Sequence, residues 1–284
     1  MIKYYKKYKN QILNLSLKKI YSHFFLNDLK PSGYYFYIKN QVFEFLQSKY
    51  PDYNKNVFDK RLDEVITHLD EYKDITSKLN NLFNPNFNED LKFHYKYNEN
   101  KIFFKFISNS IKTKLINNKY SNIYDFVLTQ QNEPLNILEI GGGLPHGFIY
   151  NMWKRGKTFF NKFTYIDTHL IHSEFVQWYC KRFDVNHEIK LFEPAKTPQL
   201  GQIKYNFVFA KDIFEHLDEP ELLIDYLISN TKDNKTYLCL DLEHKGPKIG
   251  QHISPNLPIL KEKLIKNNFK VIKKFSEVHV WIKK

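Results

Sequence analysis

The sequence predicts an α/β protein: a mainly parallel sheet whose last strand is antiparallel, preceded by a mostly helical extension. Three observations predict it. Asn136-Ile137-Leu138-Glu139-Ile140 is an apolar run that ends beside a carboxylate and enters the glycine turn Gly141-Gly142-Gly143. Such a run fits a strand covered on both faces, as in a parallel sheet. Strand-like and helix-like segments then alternate to the end of the chain. Finally, the apolar runs 270–275 and 278–282 are separated only by Ser276 and Glu277. That gap is too short for a parallel crossover, so the two runs must form a hairpin.

The elements follow in order. The first 120 residues read as mostly helical. Ile12, Leu15, Ile20, Phe24 and Phe25 give one loose apolar face, and Val42, Phe43, Phe45 and Leu46 a second. Leu62, Val65, Ile66 and Leu69 repeat at helical spacing. Asn84-Pro85-Asn86 breaks the chain, and residues 91–106 read equally as a hairpin or a helix. After the strand at 136–140, residues 163–167 form a second, ending in Asp167, twenty-eight residues beyond Glu139. A third spans 188–192 with Glu193 at its end, a fourth 206–210 ending in Ala210, and a fifth 236–240. A helix over 257–267 leads into the closing hairpin.

Open α/β sheets bind ligands at the carboxyl ends of their strands, which places Glu139 at the mouth of a crevice. Glycine there lets the backbone turn sharply and approach a ligand closely. A carboxylate at that point suits a cationic amine better than a pyrophosphate. The dinucleotide fingerprint GxGxxG fails, because its third glycine falls on His146.

Glu139-Ile140-Gly141-Gly142-Gly143 resembles motif I, (E/D)xGxGxG, of the class I S-adenosylmethionine (SAM) methyltransferases. Glu139, Gly141 and Gly143 match; Pro145 stands at the third glycine position, with Gly147 two residues later. The resemblance covers roughly residues 120–284. It implies a Rossmann-like class I methyltransferase sheet of seven strands, the last antiparallel, over 121–284, with 1–120 as a helical cap over the substrate. It also implies SAM as cofactor. Glu139 would hold the methionine amine, with Gly141, Gly142 and Gly143 passing close to the cofactor. Asp167 would take the ribose hydroxyls, Glu193 would lie near the adenine amine, and Ala210 would line the site.

Lys211-Asp212-Ile213-Phe214-Glu215-His216 is similar to a methyltransferase motif IV of the D/E-x-x-E-H kind. On a helix Asp212, Glu215 and His216 would share a face. With His252 downstream, the set resembles the metal sites of small-RNA 2′-O-methyltransferases and ubiquinone-pathway O-methyltransferases. Three roles stand open. Asp212, Glu215, His216 and His252 would hold Mg²⁺, Mn²⁺ or Fe, which lowers the pKa of an acceptor hydroxyl. Alternatively His216 or His252 acts alone as general base. In the third role, Glu215 and His216 merely cap and pack a short helix. His146, His169, His172 and His244 carry less weight as loop histidines. Tyr34, Tyr35 and Tyr37 are candidates for a pocket lining.

Composition narrows the function classes. The net charge of +12 is concentrated at the ends: residues 1–30 and 261–284 each sum to +6, and the 230 residues between sum to zero. A nucleic-acid enzyme spreads basic side chains along the phosphate path, so nucleic acid is an improbable partner. A sugar, or another specialised metabolite with a hydroxyl group, is the expected methyl acceptor. An RNA methyltransferase and a non-catalytic SAM-binding regulator are the alternatives. Hydrophobic residues make up 42%, enough for a core, and no run approaches the length of a membrane span. Two cysteines, Cys180 and Cys239, are too few for a disulfide scaffold. They point to a reducing, cytoplasmic compartment.

Overall fold

The computed structural model describes residues 33–67, 119–141, 143–201, 203–231, 235–243 and 257–284. Three helices come first: α1 (Gly33–Lys49), α2 (Lys55–Thr67) and α3 (Lys119–Gln130). Then follow β1 (Leu135–Ile140), α4 (His146–Arg155), β2 (Phe160–Asp167), α5 (Leu170–Arg182) and β3 (His187–Leu191). The chain continues through β4 (Phe207–Ala210), a 3₁₀ turn (Phe214–His216), α6 (Pro220–Asn230) and β5 (Tyr237–Asp241). It closes with α7 (Pro258–Lys266), β6 (Phe269–Phe275) and β7 (Val278–Lys283).

The seven strands form one sheet in the order β3-β2-β1-β4-β5-β7-β6. β7 runs antiparallel to both β5 and β6, and the other pairings are parallel. This is the seven-stranded sheet with an antiparallel last strand that the sequence predicts. The hairpin does not simply extend the sheet, because β7 inserts between β5 and β6. The edge strand at this end, β6, exposes Lys270, Lys273 and Lys274, charges that discourage pairing with another chain.

The two-residue strand period sorts side chains into two core layers. Ile137, Phe163, Tyr165, Phe207, Phe209 and Cys239 face the helices α1 to α5, meeting Tyr124, Phe148, Phe175 and Tyr179. Leu138, Ile140, Ile166, Val208, Leu238 and Leu240 face the other way, against Leu223, Ile224 and Leu227 of α6 and Leu260 and Leu264 of α7. By the same alternation Glu139 and Asp167 project toward the first layer. Helices leave β1 and β4 on opposite faces, so the crevice of the sheet opens between their carboxyl ends.

The extension belongs to the first layer. Ile38, Val42 and Phe45 of α1 and Leu62 of α2 are buried in it. Phe45 packs edge-on against Phe175 of α5, and the Tyr37 and Tyr179 hydroxyls lie 2.7 Å apart. Lys49 pairs with Glu174 at 2.5 Å, and Glu44 with Arg182. The second predicted face is therefore helical, with Val42, Phe45 and Leu46 inward. The face at Ile12 to Phe25, the break at 84–86 and residues 91–106 lie outside the described residues.

Candidate functional site at the carboxyl edge of the sheet

β1 sits between β2 and β4, pairing Glu139 with Tyr165 on one side and Phe209 on the other. That register brings Glu139, Asp167 and Ala210 to one edge. Gly141 follows β1 at φ +65°, its N–H donating to the Ile166 carbonyl at 2.7 Å. A Cβ at Gly141 would lie 2.6 Å from Ile213 Cδ1, so both conformation and space require glycine. Gly143 is also left-handed, at φ +76°. Gly142 lies outside the described residues.

Glu139 is 4% exposed. The Tyr124 hydroxyl donates to its Oε2 at 3.2 Å, and among the described residues no Lys, Arg or His is ion-paired to it. Burial pushes its carboxyl up to about 8, the Tyr124 bond pulling back and Asp167 adding to the rise. Near neutral pH it is mostly protonated, and a cation placed beside it would draw the proton off.

Asp167 is 1% exposed but richly bonded. Its Oδ1 accepts the backbone N–H of His169 at 2.8 Å and lies 2.8 Å from the His169 ring Nδ1. Its Oδ2 accepts from the Gly143 N–H at 3.2 Å. The Tyr165 hydroxyl is 2.7 Å from both Asp167 Oδ2 and the Gly143 carbonyl, and its single proton serves one at a time. Burial alone would raise the Asp167 carboxyl, yet His169, through its ring and backbone N–H, and His172 hold it well below the usual carboxylate range. In this arrangement the carboxylate is engaged by its own loop.

The motif after β4 departs from the predicted helix. Asp212 is left-handed at φ +51°, and only residues 214–216 form a 3₁₀ turn, with the His216 N–H donating to the Ile213 carbonyl. The cause is packing: Ile213, Phe214 and Leu217 are drawn into the second core layer, which bends the chain away from the α-helical register. Asp212 and Glu215 therefore do not share a helix face. The Asp212 side chain is 56% exposed and pairs with Lys211 at 3.2 Å, while Glu215 is buried. Among the described residues, the His and carboxylate atoms that converge as a group of three belong to Asp167, His169 and His172. Asp212, Glu215 and His216 are not such a group. His252 and His244 lie outside the described residues, and Glu193 is exposed two residues past β3.

Sequence reasoning missed two features. Asp241 ends β5 one residue beyond the predicted strand. Burial pushes its carboxyl up to about 6; the Glu243 backbone N–H opposes this, and Asp212, Glu215 and Glu277 reinforce it. The acids Asp241 and Glu243 after an apolar run were the available signal. The second feature is the contact between Tyr34 of α1 and His146, the Tyr34 hydroxyl lying 3.3 Å from His146 Nδ1 and donating to the His146 carbonyl at 3.4 Å. Tyr34 stacks edge-on with Tyr150. Burial pulls the His146 ring down to about 4, so it is a neutral imidazole at pH 7. A contact across 112 residues leaves no local trace in the sequence.

No protein-family model matches the chain, and no curated protein matches it either. Solved structures similar to it include TehB from Haemophilus influenzae, 14% identical, with a TM-score of 0.42 over 57% of this chain and 62% of that one. A SAM-dependent methyltransferase from Aquifex aeolicus is 17% identical, with a TM-score of 0.40 over 66% of this chain and 97% of its own. The [4+2]-cyclase SpnF is 13% identical, with a TM-score of 0.40 over 54% of this chain and 58% of that one. The chain thus spans about 60% of the length of TehB and of SpnF. The fold assignment rests on the sheet itself: its order, its parallel strands and its antiparallel β7.

Proposed function

We propose that the chain is a SAM-dependent methyltransferase that methylates a hydroxyl of a small molecule, a sugar or a specialised metabolite. One observation carries the reading. At the switch point of the sheet, beside two left-handed glycines, the Glu139 carboxyl is buried with no Lys, Arg or His paired to it among the described residues. That burial pushes it up to about 8. The α-ammonium of SAM is a cation that would pair with it.

The residues fit the cofactor in part. Glu139 would hold the methionine amine, while Gly141 and Gly143 keep the first loop free of side chains. Ala210 keeps the end of β4 small. Asp167 would take ribose hydroxyls once its carboxylate turns from His169. Glu193 remains the proposed neighbour of the adenine amine. When bound, SAM supplies an electrophilic methyl carbon and a neutral thioether leaving group. The chain's own task is to orient the acceptor in line with that methyl and exclude water. It must also accept the hydroxyl proton as the new C–O bond forms. His216 and His252 are the proposed bases. Asp241 joins them, its carboxyl near 6 being close to neutral pH. Among the described residues Asp212, Glu215 and His216 do not converge, and His252 lies outside them, so no step is routed through a metal at that turn.

The test is calorimetric titration with S-adenosylhomocysteine from pH 6 to 9. Affinity should rise with pH by up to about tenfold per unit below about pH 8, because the incoming ammonium favours ionised Glu139. Glu139→Gln should weaken binding and flatten that slope. A wild-type chain that does not bind S-adenosylhomocysteine would sink the proposal. Binding with no methylated product from any hydroxylated acceptor would favour the non-catalytic regulator instead.

A further inference from the structure

Asp167, His169 and His172 cross the junction between β2 and α5 and turn their polar atoms toward one point. One carboxylate oxygen and one ring nitrogen from each histidine lie within 4.8 Å of one another. The His169 and His172 ring centres are 4.7 Å apart, with the planes tilted by 42°. An ion bonded at about 2.1 Å spaces its ligands by about 3.4 Å in a tetrahedral shell, and by about 3 Å (adjacent) or about 4.2 Å (opposite) in an octahedral one. The 2.8 Å separation of Asp167 Oδ1 and His169 Nδ1 already suits adjacent ligands.

Other features favour an ion there over a solvated surface cluster. Asp167 and His172 are buried, and the His169 side chain is 21% exposed. That leaves a closed floor with one side toward solvent. The second carboxylate oxygen is held by the Gly143 N–H and within reach of the Tyr165 hydroxyl, the outer-shell bonding that orients a ligating carboxylate. A Cβ at Gly143 would come 3.4 Å from His172 Cε1, so the glycine loop walls one side of the cluster. Two imidazoles and one carboxylate suit Zn²⁺, Co²⁺, Ni²⁺ or Fe²⁺. Mg²⁺ and Ca²⁺ prefer all-oxygen shells.

We propose that Asp167, His169 and His172 form a binding site for one divalent transition-metal ion. The ion replaces the His169–Asp167 contact with bonds to both residues and to His172. Three protein ligands leave further coordination positions open on the solvent side. Because the site uses the carboxylate assigned above to the ribose, ion and cofactor exclude each other; this last clause rests on the SAM reading, whereas the metal site does not.

The test begins with chelator-treated full-length chain titrated with Co²⁺ and with Zn²⁺, by calorimetry and, for Co²⁺, by visible absorption. Wild type should take up one ion per chain and melt at a higher temperature when loaded. His169→Gln, His172→Gln and Asp167→Asn should each weaken uptake by at least roughly 100-fold, the upper end for loss of an outer-shell partner alone. Circular dichroism would show that these variants are folded. His187→Gln, a histidine bonded elsewhere to Gln177 and Val185, should bind as wild type does. No uptake by wild type, or equal uptake by His169→Gln and His172→Gln, overturns the site. S-adenosylhomocysteine titrated into the Zn²⁺-loaded and metal-free chains separates the two ideas. Weaker binding to the loaded chain supports exclusion, and equal binding refutes it. An ion that binds where S-adenosylhomocysteine never does refutes the cofactor reading and leaves the metal site standing.

Discussion

Glu139 and Asp167 end neighbouring parallel strands, face the same core layer and are both almost fully buried, yet they are held in opposite charge states. Among the described residues the Tyr124 hydroxyl is the group that bonds Glu139, and burial pushes its carboxyl up to about 8. Asp167 has two backbone N–H groups, an imidazole and the Tyr165 hydroxyl around it, and stays ionised. Desolvation acts on both; at Asp167 the charge and hydrogen bonds of His169, with the charge of His172, outweigh it. Burial of an acid at a strand end is thus no guide to its charge. The donors that the following loop turns toward it are.

The largest expected effect is on the pH dependence of stability. Glu139 binds its proton more tightly folded than unfolded, so its contribution is full below about pH 4.5 and is lost as pH rises toward about 8. The limiting slope is roughly 1.4 kcal/mol per pH unit. Asp167 works in the opposite sense, its contribution present above about pH 3.8 and lost in acid. Denaturant midpoints measured across pH should therefore show two limbs of opposite slope. Glu139→Gln should flatten the upper limb and leave the acid one; a Gln variant with the wild-type profile would remove the contrast.

Next in size, Asp167→Ala should cost about 3 kcal/mol, since it leaves buried donors without their acceptor. It should also weaken S-adenosylhomocysteine binding; unchanged affinity by calorimetry would take Asp167 out of the cofactor site. Gly141→Ala should cost about 2 kcal/mol, from a left-handed alanine and a Cβ crowding Ile213. Thermal melts would read that loss. The smallest effect is Tyr124→Phe, about 1 kcal/mol, which should also push the Glu139 carboxyl higher. Its S-adenosylhomocysteine affinity at pH 7 should then fall by a few fold, and a rise would contradict the assigned donor.

Much of this edge was legible in the sequence because strand ends are local events. An apolar run, an acid and a glycine turn locate β1, and the acid after 163–166 locates the end of β2. The two-residue link at Ser276-Glu277 fixes β7 as antiparallel. What escaped depends on packing between distant segments. The residues 212–216 carry helical spacing, but burial of Ile213, Phe214 and Leu217 imposes a 3₁₀ turn instead. Asp167, His169 and His172 are spaced by two and by three, a pattern belonging to neither a strand nor a helix. Only the junction of the two elements brings them together. Tyr34 meets His146 because α1 docks on α4 and α5, and nothing near either residue announces it.

The placement of β7 between β5 and β6 has a consequence for the order of assembly. On the ribosome β6 is made before the strand that is to be its only neighbour, and β5 must hold its open edge until the same strand arrives. Both edges wait on the final segment of the sheet, so the right half cannot be completed in step with translation. A chain truncated between Phe275 and Val278 would leave β5 and β6 each without the strand that pairs them. Lys270, Lys273 and Lys274 lie on the strand that such a truncation leaves unpaired, and the charge that guards the rim of the finished sheet would guard that loose strand as well.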